Sequence, residues 1–412
     1  MFTKNKNATH SEYPDSLKST LNIDCAKSSQ KLLSSWDKIQ THTPLWSLPQ
    51  LANENGVAYV SVKDESKRSE LGSFKALGAP NALVRLIVRH HREFDANKVL
   101  QGNYANQLKD FTVISATDGN HGRALAAAAQ SIGCPCVIVL HAEVSAERES
   151  AISAYGARII RIEGNYDQSV EKAESLAQEN GWHVVSDTSY DGYEIIPADV
   201  MQGYGIIANE VVEQAEKAQL PPITHVFLQG GVGGLAAGVI SYLWQHFQSQ
   251  RPYFIVIEPE QADCLYQSAI ACKASQATGV VDSVMAGLAC GQTSPLAWSF
   301  LASAVDYFTL IKDSDAENAM KVLAGGNSND IPIVSGESGA AGLAGWLALN
   351  PEQKKTLNID KHSHLLFINT EGATAPSIYS DIIGQDEKAV LGRQMDWLRA
   401  LKLEGKPSLL IV

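Results

Sequence analysis

The chain has 412 residues, 45% hydrophobic and 19% charged, a composition that suits a soluble globular enzyme of two or three domains with a large core. Its 33 basic and 45 acidic residues leave a net charge of −12, so neither nucleic acid nor an anionic membrane surface is expected as a partner. Six cysteines (Cys25, Cys134, Cys136, Cys264, Cys272, Cys290) show no metal-ligand spacing, and no metal site is expected. Cys134-Pro135-Cys136, inside an apolar run, reads as buried thiols, and a Cys264–Cys290 bridge stays open.

Residues 1 to about 40 are polar, without an apolar run after the first Met, which argues against a secretory signal. No run reaches membrane-spanning length: 124–140 comes nearest and is broken at Gln130-Ser131 and Pro135, so the cytoplasm is the expected location. From Leu45 an α/β alternation sets in. Strands are predicted over 57–62, 111–115, 135–140, 158–162 and 183–186, with helices from about 74 to 90 and over 123–131, 146–155 and 168–179. Residues 95–110 read as a mobile loop. A second series follows, with helices over 198–219, 235–247, 314–323 and 340–349 and strands over 225–228, 254–257 and 365–368. The pattern predicts two α/β domains, each a mostly parallel sheet flanked by helices, with a ligand cleft between them. The tail 386–412 carries a helix-like run over 386–402 and an apolar end, expected to dock on the body or on a partner subunit.

The chemistry concentrates in Ser73-Phe74-Lys75-Ala76-Leu77-Gly78 and Ala116-Thr117-Asp118-Gly119-Asn120-His121-Gly122. The first sets one lysine between an aromatic and small residues; the second joins a strand end to an Ala-rich helix. An amine at a crowded turn can form a Schiff base when its neighbours lower its pKa. A loop with glycines admits a flat ring close to its backbone. Pyridoxal phosphate is the cofactor that needs both. Gln229-Gly230-Gly231-Val232-Gly233-Gly234, between a strand and a helix, supplies a phosphate cradle. The same residues match a dinucleotide fingerprint, Gly231-x-Gly233-x-x-Ala236, with Glu258 where a ribose-binding acid would lie. Four glycines in five positions favour the compact monophosphate cup.

These residues have a family. The chain resembles the fold-type II pyridoxal-phosphate enzymes, and within them is similar to the ammonia-lyases that act on 2,3-diaminopropionate. The likeness runs from about Thr43 to Pro376. It includes Val62-Lys63-Asp64-Glu65-Ser66, Met201-Gln202-Gly203-Tyr204, Met285-Ala286-Gly287-Leu288-Ala289-Cys290-Gly291, Ser335-Gly336-Glu337-Ser338-Gly339-Ala340 and Asn369-Thr370-Glu371-Gly372. The resemblance implies that Lys75 holds pyridoxal 5′-phosphate covalently and Phe74 packs beside its ring. Asn120 would meet its 3′-oxygen, and Gly230, Gly231, Val232, Gly233 and Gly234 its phosphate. Thr370 would pair with the pyridine nitrogen as a neutral hydroxyl, which restrains the electron sink. Glu337 joins the cofactor-binding set. It further implies a homodimer and a large domain from 1–77 and 193–385, a small domain over 78–192 and a C-terminal extension over 386–412.

Asp118 points to the substrate. Where relatives present a hydroxyl towards the α-carboxylate, this chain has a negative charge, so the substrate should carry an extra ammonium, as 2,3-diaminopropionate does. Asp187 is a second anion for the same purpose, although alone it reads equally well as a turn cap. The implied reaction is α,β-elimination of both enantiomers to pyruvate and ammonia, with Lys75 the base for the L form and Asp118 for the D form. A serine/threonine dehydratase or β-replacement enzyme of the same fold is the alternative. Blander readings stand beside these: His121 as loop support, Glu337 as a helix-start acid, Cys290 as core packing.

Overall fold

The computed structural model describes residues 1–117, 119–164, 166–403 and 410–411. Its strands, in chain order, are β1 (Phe2–Lys4), β2 (Leu45–Ser47), β3 (Tyr59–Asp64), β4 (Val113–Ala116), β5 (Cys136–Leu140) and β6 (Arg158–Arg161), then β7 (His183–Val184), β8 (His225–Gln229), β9 (Tyr253–Pro259), β10 (Tyr307–Ile311), β11 (His364–Asn369) and β12 (Leu410–Ile411). Two sheets result, ordered β1-β10-β9-β8-β11-β3-β2-β12 and β6-β5-β4-β7. The small sheet is parallel throughout. In the large one, β10, β9, β8, β11 and β3 run parallel, with β1, β2 and β12 added antiparallel at the edges. Strands buried on both faces read as unbroken apolar runs, which is why Cys136–Leu140 is buried at every position.

The alternation read from sequence is present, with ends moved by a few residues. Helices Lys75–His90, Asn120–Ile132, Ile195–Lys217 and Gly234–Phe247 start close to the predicted positions. The first of these spans the domain boundary expected at residue 78. Residues 95–110 differ from expectation: a short helix, Ala96–Val99, and turns are anchored by the buried Val99, Leu100 and Leu108. The polar N-terminus contains the amphipathic helix Ile23–Leu33, whose Ala26, Ser29, Leu32 and Leu33 are buried. The tail forms a helix over Glu387–Leu403, and β12 pairs with β2. No helix among the described residues is long and apolar enough to cross a membrane.

Two devices position the helix that begins at Lys75. It crosses Ile195–Lys217 closely, because Gly78 faces Tyr204: a Cβ there would lie 2.7 Å from the Tyr204 hydroxyl. Gly203 approaches the Leu77 carbonyl from the other side, where a Cβ would collide with it. Beneath this crossing lies a buried four-charge network. Glu210 accepts from Lys63 Nζ at 2.6 Å and from both Arg68 terminal nitrogens at 2.7 and 2.9 Å, and Glu65 accepts from Arg68 and from Thr43 Oγ1. Two cations and two anions, all essentially without solvent exposure, balance each other.

Removing one member of such a network leaves an uncompensated buried charge. Glu210→Gln should therefore destabilise the chain by about 3–5 kcal/mol, read as a lower urea midpoint. An unchanged midpoint would show that the network contributes nothing to stability.

Candidate active site

The loops that follow parallel strands meet at the carboxyl ends of the two sheets, as open α/β folds require. β8 ends at Gln229 and leads into the glycine loop; β11 ends at Asn369 and leads into Thr370 and Glu371. From the small sheet come residues 117 and 119–121 after β4, and Asp187 after β7. They line one cleft of about 1160 Å³, partly open to solvent, together with Lys75, Phe74, Tyr204 and residues 286–290.

Lys75 stands at the first position of its helix, and its Nζ donates to Asp187 Oδ2. Each side chain is largely enclosed, 18% and 13% exposed. Burial opposes both charges, but the pairing outweighs it, holding the Lys75 amine above and the Asp187 carboxyl well below their ordinary values. His121 donates from Nε2 to the Val185 carbonyl at 2.9 Å, which turns Nδ1 to within 3.8 Å of the same Asp187 oxygen. Phe74 and Tyr204 pack at 4.7 Å between ring centroids, with the Lys75 ammonium 5.2 and 5.9 Å from their centres.

The glycine loop is rigidly held. Gln229 donates to the Gly339 and Ile368 carbonyls, Gly230 N–H to Ile257 O, and Ser294 N–H to Val232 O. Gly231 has φ +63°, and a Cβ on it would enter the cleft, 3.4 Å from Gly287 O and 3.6 Å from Cys290 Sγ. Space there depends on the absence of a side chain, at the N-terminal end of the helix Gly234–Phe247, so the residues fit a phosphate group. Glu258 does not read a ribose: it is fully buried and accepts from the Leu265 and Tyr266 N–H groups, capping another helix.

Asn120 Nδ2 donates to Glu371, which also accepts from Thr374 Oγ1 at 3.0 Å and Ser338 N–H at 3.2 Å. One amide hydrogen of Asn120 remains for a ligand. Glu337 lies behind this group; burial, and then the charge of Glu371, push its carboxyl up to about 7. Asn369 donates to Asp64 Oδ1 at 2.8 Å and to Val334 O, which fixes the strand end carrying Thr370.

Of the residues singled out in the sequence, Phe74, Lys75, Asn120, Asp187, Gly230, Gly231, Val232, Gly234 and Thr370 line the cleft. Gly233 instead turns towards Leu301, Ala297 and Leu265, serving the turn with φ +99°. Asp118 lies outside the described residues. Cys290, read as core packing, lines the cleft, and Cys264 is a free thiol donating to Gly231 O at 3.4 Å. Sequence reasoning passed over Tyr204, Arg148 and Glu371. Glu371 had a signal, since it follows Thr370 at a strand end; Arg148, on a polar helix, had none.

The match of residues 37–371 to the profile of the pyridoxal-phosphate dependent enzymes accords with this site, and the chain belongs to that family. Within it the chain is similar to the diaminopropionate ammonia-lyase of Escherichia coli (strain K12), 39% identical over 354 residues that cover 84% of this chain and 88% of that protein. A crystal structure of holo diaminopropionate ammonia lyase from Escherichia coli superposes with a TM-score of 0.85 at 35% identity, covering 93% of this chain and 96% of that one. Another, in complex with an aminoacrylate-PLP azomethine reaction intermediate, gives 0.83 at 35% identity over the same shares of the two chains.

The Lys75–Asp187 pair makes a signed pH prediction. The carboxylate holds the proton on an amine that would have to lose it in order to bond pyridoxal phosphate. Asp187→Asn removes the largest influence that raises the Lys75 amine and leaves burial, which lowers a lysine pKa, far less opposed. The pH profile for capture of pyridoxal phosphate by the apoenzyme should then move to lower pH, measured by growth of the visible band. A profile identical to that of the wild type would place control of the amine elsewhere.

Proposed function

We propose that this chain eliminates ammonia from D- and L-2,3-diaminopropionate, leaving 2-aminoacrylate that hydrolyses to pyruvate and a second ammonia. One observation carries the substrate: Asp187 is an enclosed carboxylate whose cation is Lys75. Once that amine is committed to the cofactor, Asp187 keeps only the His121 ring at 3.8 Å, and a further cation offsets the cost of its buried charge. The second ammonium of a diamino acid supplies it, and serine has none. Pyridoxal phosphate, when bound, supplies an electron sink that makes the substrate Cα–H acidic.

In this reading Lys75 bonds the cofactor and afterwards removes the Cα proton on its own face, while Asp118 serves the opposite face. The Asn120 amide, steadied by Glu371, donates its remaining hydrogen to the cofactor's 3′-oxygen, and Thr370 offers a neutral hydroxyl to the pyridine nitrogen. Phe74 flanks the ring. Gly230, Gly231, Val232 and Gly234 surround the phosphate, Gly233 shapes their turn, and Glu337 is buried near Glu371. The division into 1–77 with 193–385, 78–192 and 386–412 and a homodimer are carried by the family resemblance, and the cytoplasmic location by the polar start of the sequence and its broken apolar runs. Sedimentation at twice the chain mass is expected.

Pyruvate release from each diaminopropionate enantiomer, assayed beside L-serine, tests the activity; turnover of serine alone would replace this reading with the dehydratase. Asp118→Asn should cost about 10²–10⁴-fold in turnover of the D isomer and far less with the L isomer. Equal losses in KM for both would make Asp118 an ammonium-binding group only.

A further inference from the structure

We propose that Arg148 binds the substrate in this cleft, its guanidinium taking the α-carboxylate beside the first turn of the helix Asn120–Ile132. The inference rests on the amino-acid elimination proposed above and adds the residue that orients the substrate's acid end.

Arg148 lies in the first turn of the helix Ala146–Ser153, where its N–H is capped by Ser145 Oγ at 3.3 Å. Its side chain lines the same cleft as Lys75, Asn120 and Thr370. The stem runs over Gly119: a Cβ there would stand 3.6 Å from Arg148 Cδ and 3.9 Å from Nε. The guanidinium therefore reaches the loop that precedes Asn120, next to helix N–H groups that have no intrahelical acceptor.

Its charge is felt at a distance by the buried Glu337, whose ionised form it favours. Among the described residues the guanidinium has no hydrogen-bond or ion-pair partner. The other cations of the cleft are engaged, Lys75 with Asp187 and Arg123 with the Leu71 and Glu70 carbonyls. The acids flanking it in sequence are also occupied: Glu147 accepts from Ser377 Oγ at 2.8 Å, and Glu149 pairs with Arg161. Glu371 is held by Asn120, Thr374 and Ser338. A half-buried guanidinium with no close partner among the described residues, facing a ligand cleft, is an anion site in waiting.

The substrate needs such a site. A carboxylate entering a cleft that already contains Asp187 and Glu371 is repelled unless a cation receives it. The planar fork of an arginine matches a carboxylate with two parallel hydrogen bonds. Lys75 cannot serve, since it is committed to the cofactor.

The test is a spectral titration of holoenzyme with amines that bind without eliminating: L-2,4-diaminobutyrate against 1,3-diaminopropane, and L-alanine against ethylamine. Each pair differs only in the carboxylate. Arg148→Gln should weaken both acids by about 10- to 100-fold and leave both simple amines unchanged. Arg148→Lys should recover part of the loss and carries the comparison if the glutamine variant does not fold. In steady state the loss on L-2,3-diaminopropionate should fall chiefly on KM, with the visible band of the free holoenzyme as in the wild type. Equal weakening of acids and amines, or no weakening of either, overturns the assignment. Wild-type turnover of serine but not of diaminopropionate would sink the diamino reading alone, because the alanine and ethylamine comparison does not depend on it.

Discussion

A lysine and an aspartate contributed by opposite walls of the cleft hold each other's charge. Lys75 belongs to the helix that follows the large-sheet segment, and Asp187 to the loop after the last strand of the small sheet. Neither could be enclosed to this extent alone, since a desolvated unpaired ion is strongly disfavoured. The pair therefore ties the geometry of the two sheets to the electrostatics of the site. It also sets a condition on catalysis: when the positive charge leaves Lys75, Asp187 keeps only the His121 ring at 3.8 Å and gains from a further cation. A substrate with two amino groups meets that condition through its own structure.

The position of Lys75 depends on packing that extends well behind the cleft. Its helix is pressed against Ile195–Lys217 through two motif glycines, Gly78 under Tyr204 and Gly203 under the Leu77 carbonyl. The second helix also carries Glu210, which anchors it to Lys63 on β3 and to Arg68. Asp64, next to Lys63, accepts from Asn369 and from Trp46 Nε1 at 3.0 Å, so the end of β3 steadies the strand end that presents Thr370. Motifs far apart in sequence thus converge on one task, holding the amine and the opposite wall in register. The buried ions offer no obvious gain in stability over apolar residues of similar size, but they allow only one pairing.

The fold was legible because parallel strands covered on both faces must be apolar throughout, and helices between them must alternate at their own period. Runs such as Val137, Ile138, Val139 and Leu140 have no other plausible use in a chain of this composition. The short edge strands were not legible. Three residues at Phe2–Lys4 carry no periodic signal, and they become a strand only because β10 offers an unpaired edge. The stretch 95–110 looked loose because its polar residues dominate, while three buried apolar side chains decide its packing.

The site divided along the same line. Lys75, Asn120, Thr370 and the glycine loop could be read because each is announced by its immediate neighbours at a strand or helix end, where backbone geometry is set locally. Asp187 was ambiguous, since a carboxylate after a strand caps a turn as readily as it pairs with an amine. Tyr204, Glu371 and Arg148 gain their meaning from residues more than a hundred positions away, or from the absence of a partner among the described residues. The sequence by itself determined the α/β architecture, the lysine at the helix start and the glycine loop at the strand end, all consequences of short-range pattern. Only the tertiary structure decided which charges neutralise one another and which is left facing the cleft, because that depends on distances between side chains which chain order does not encode.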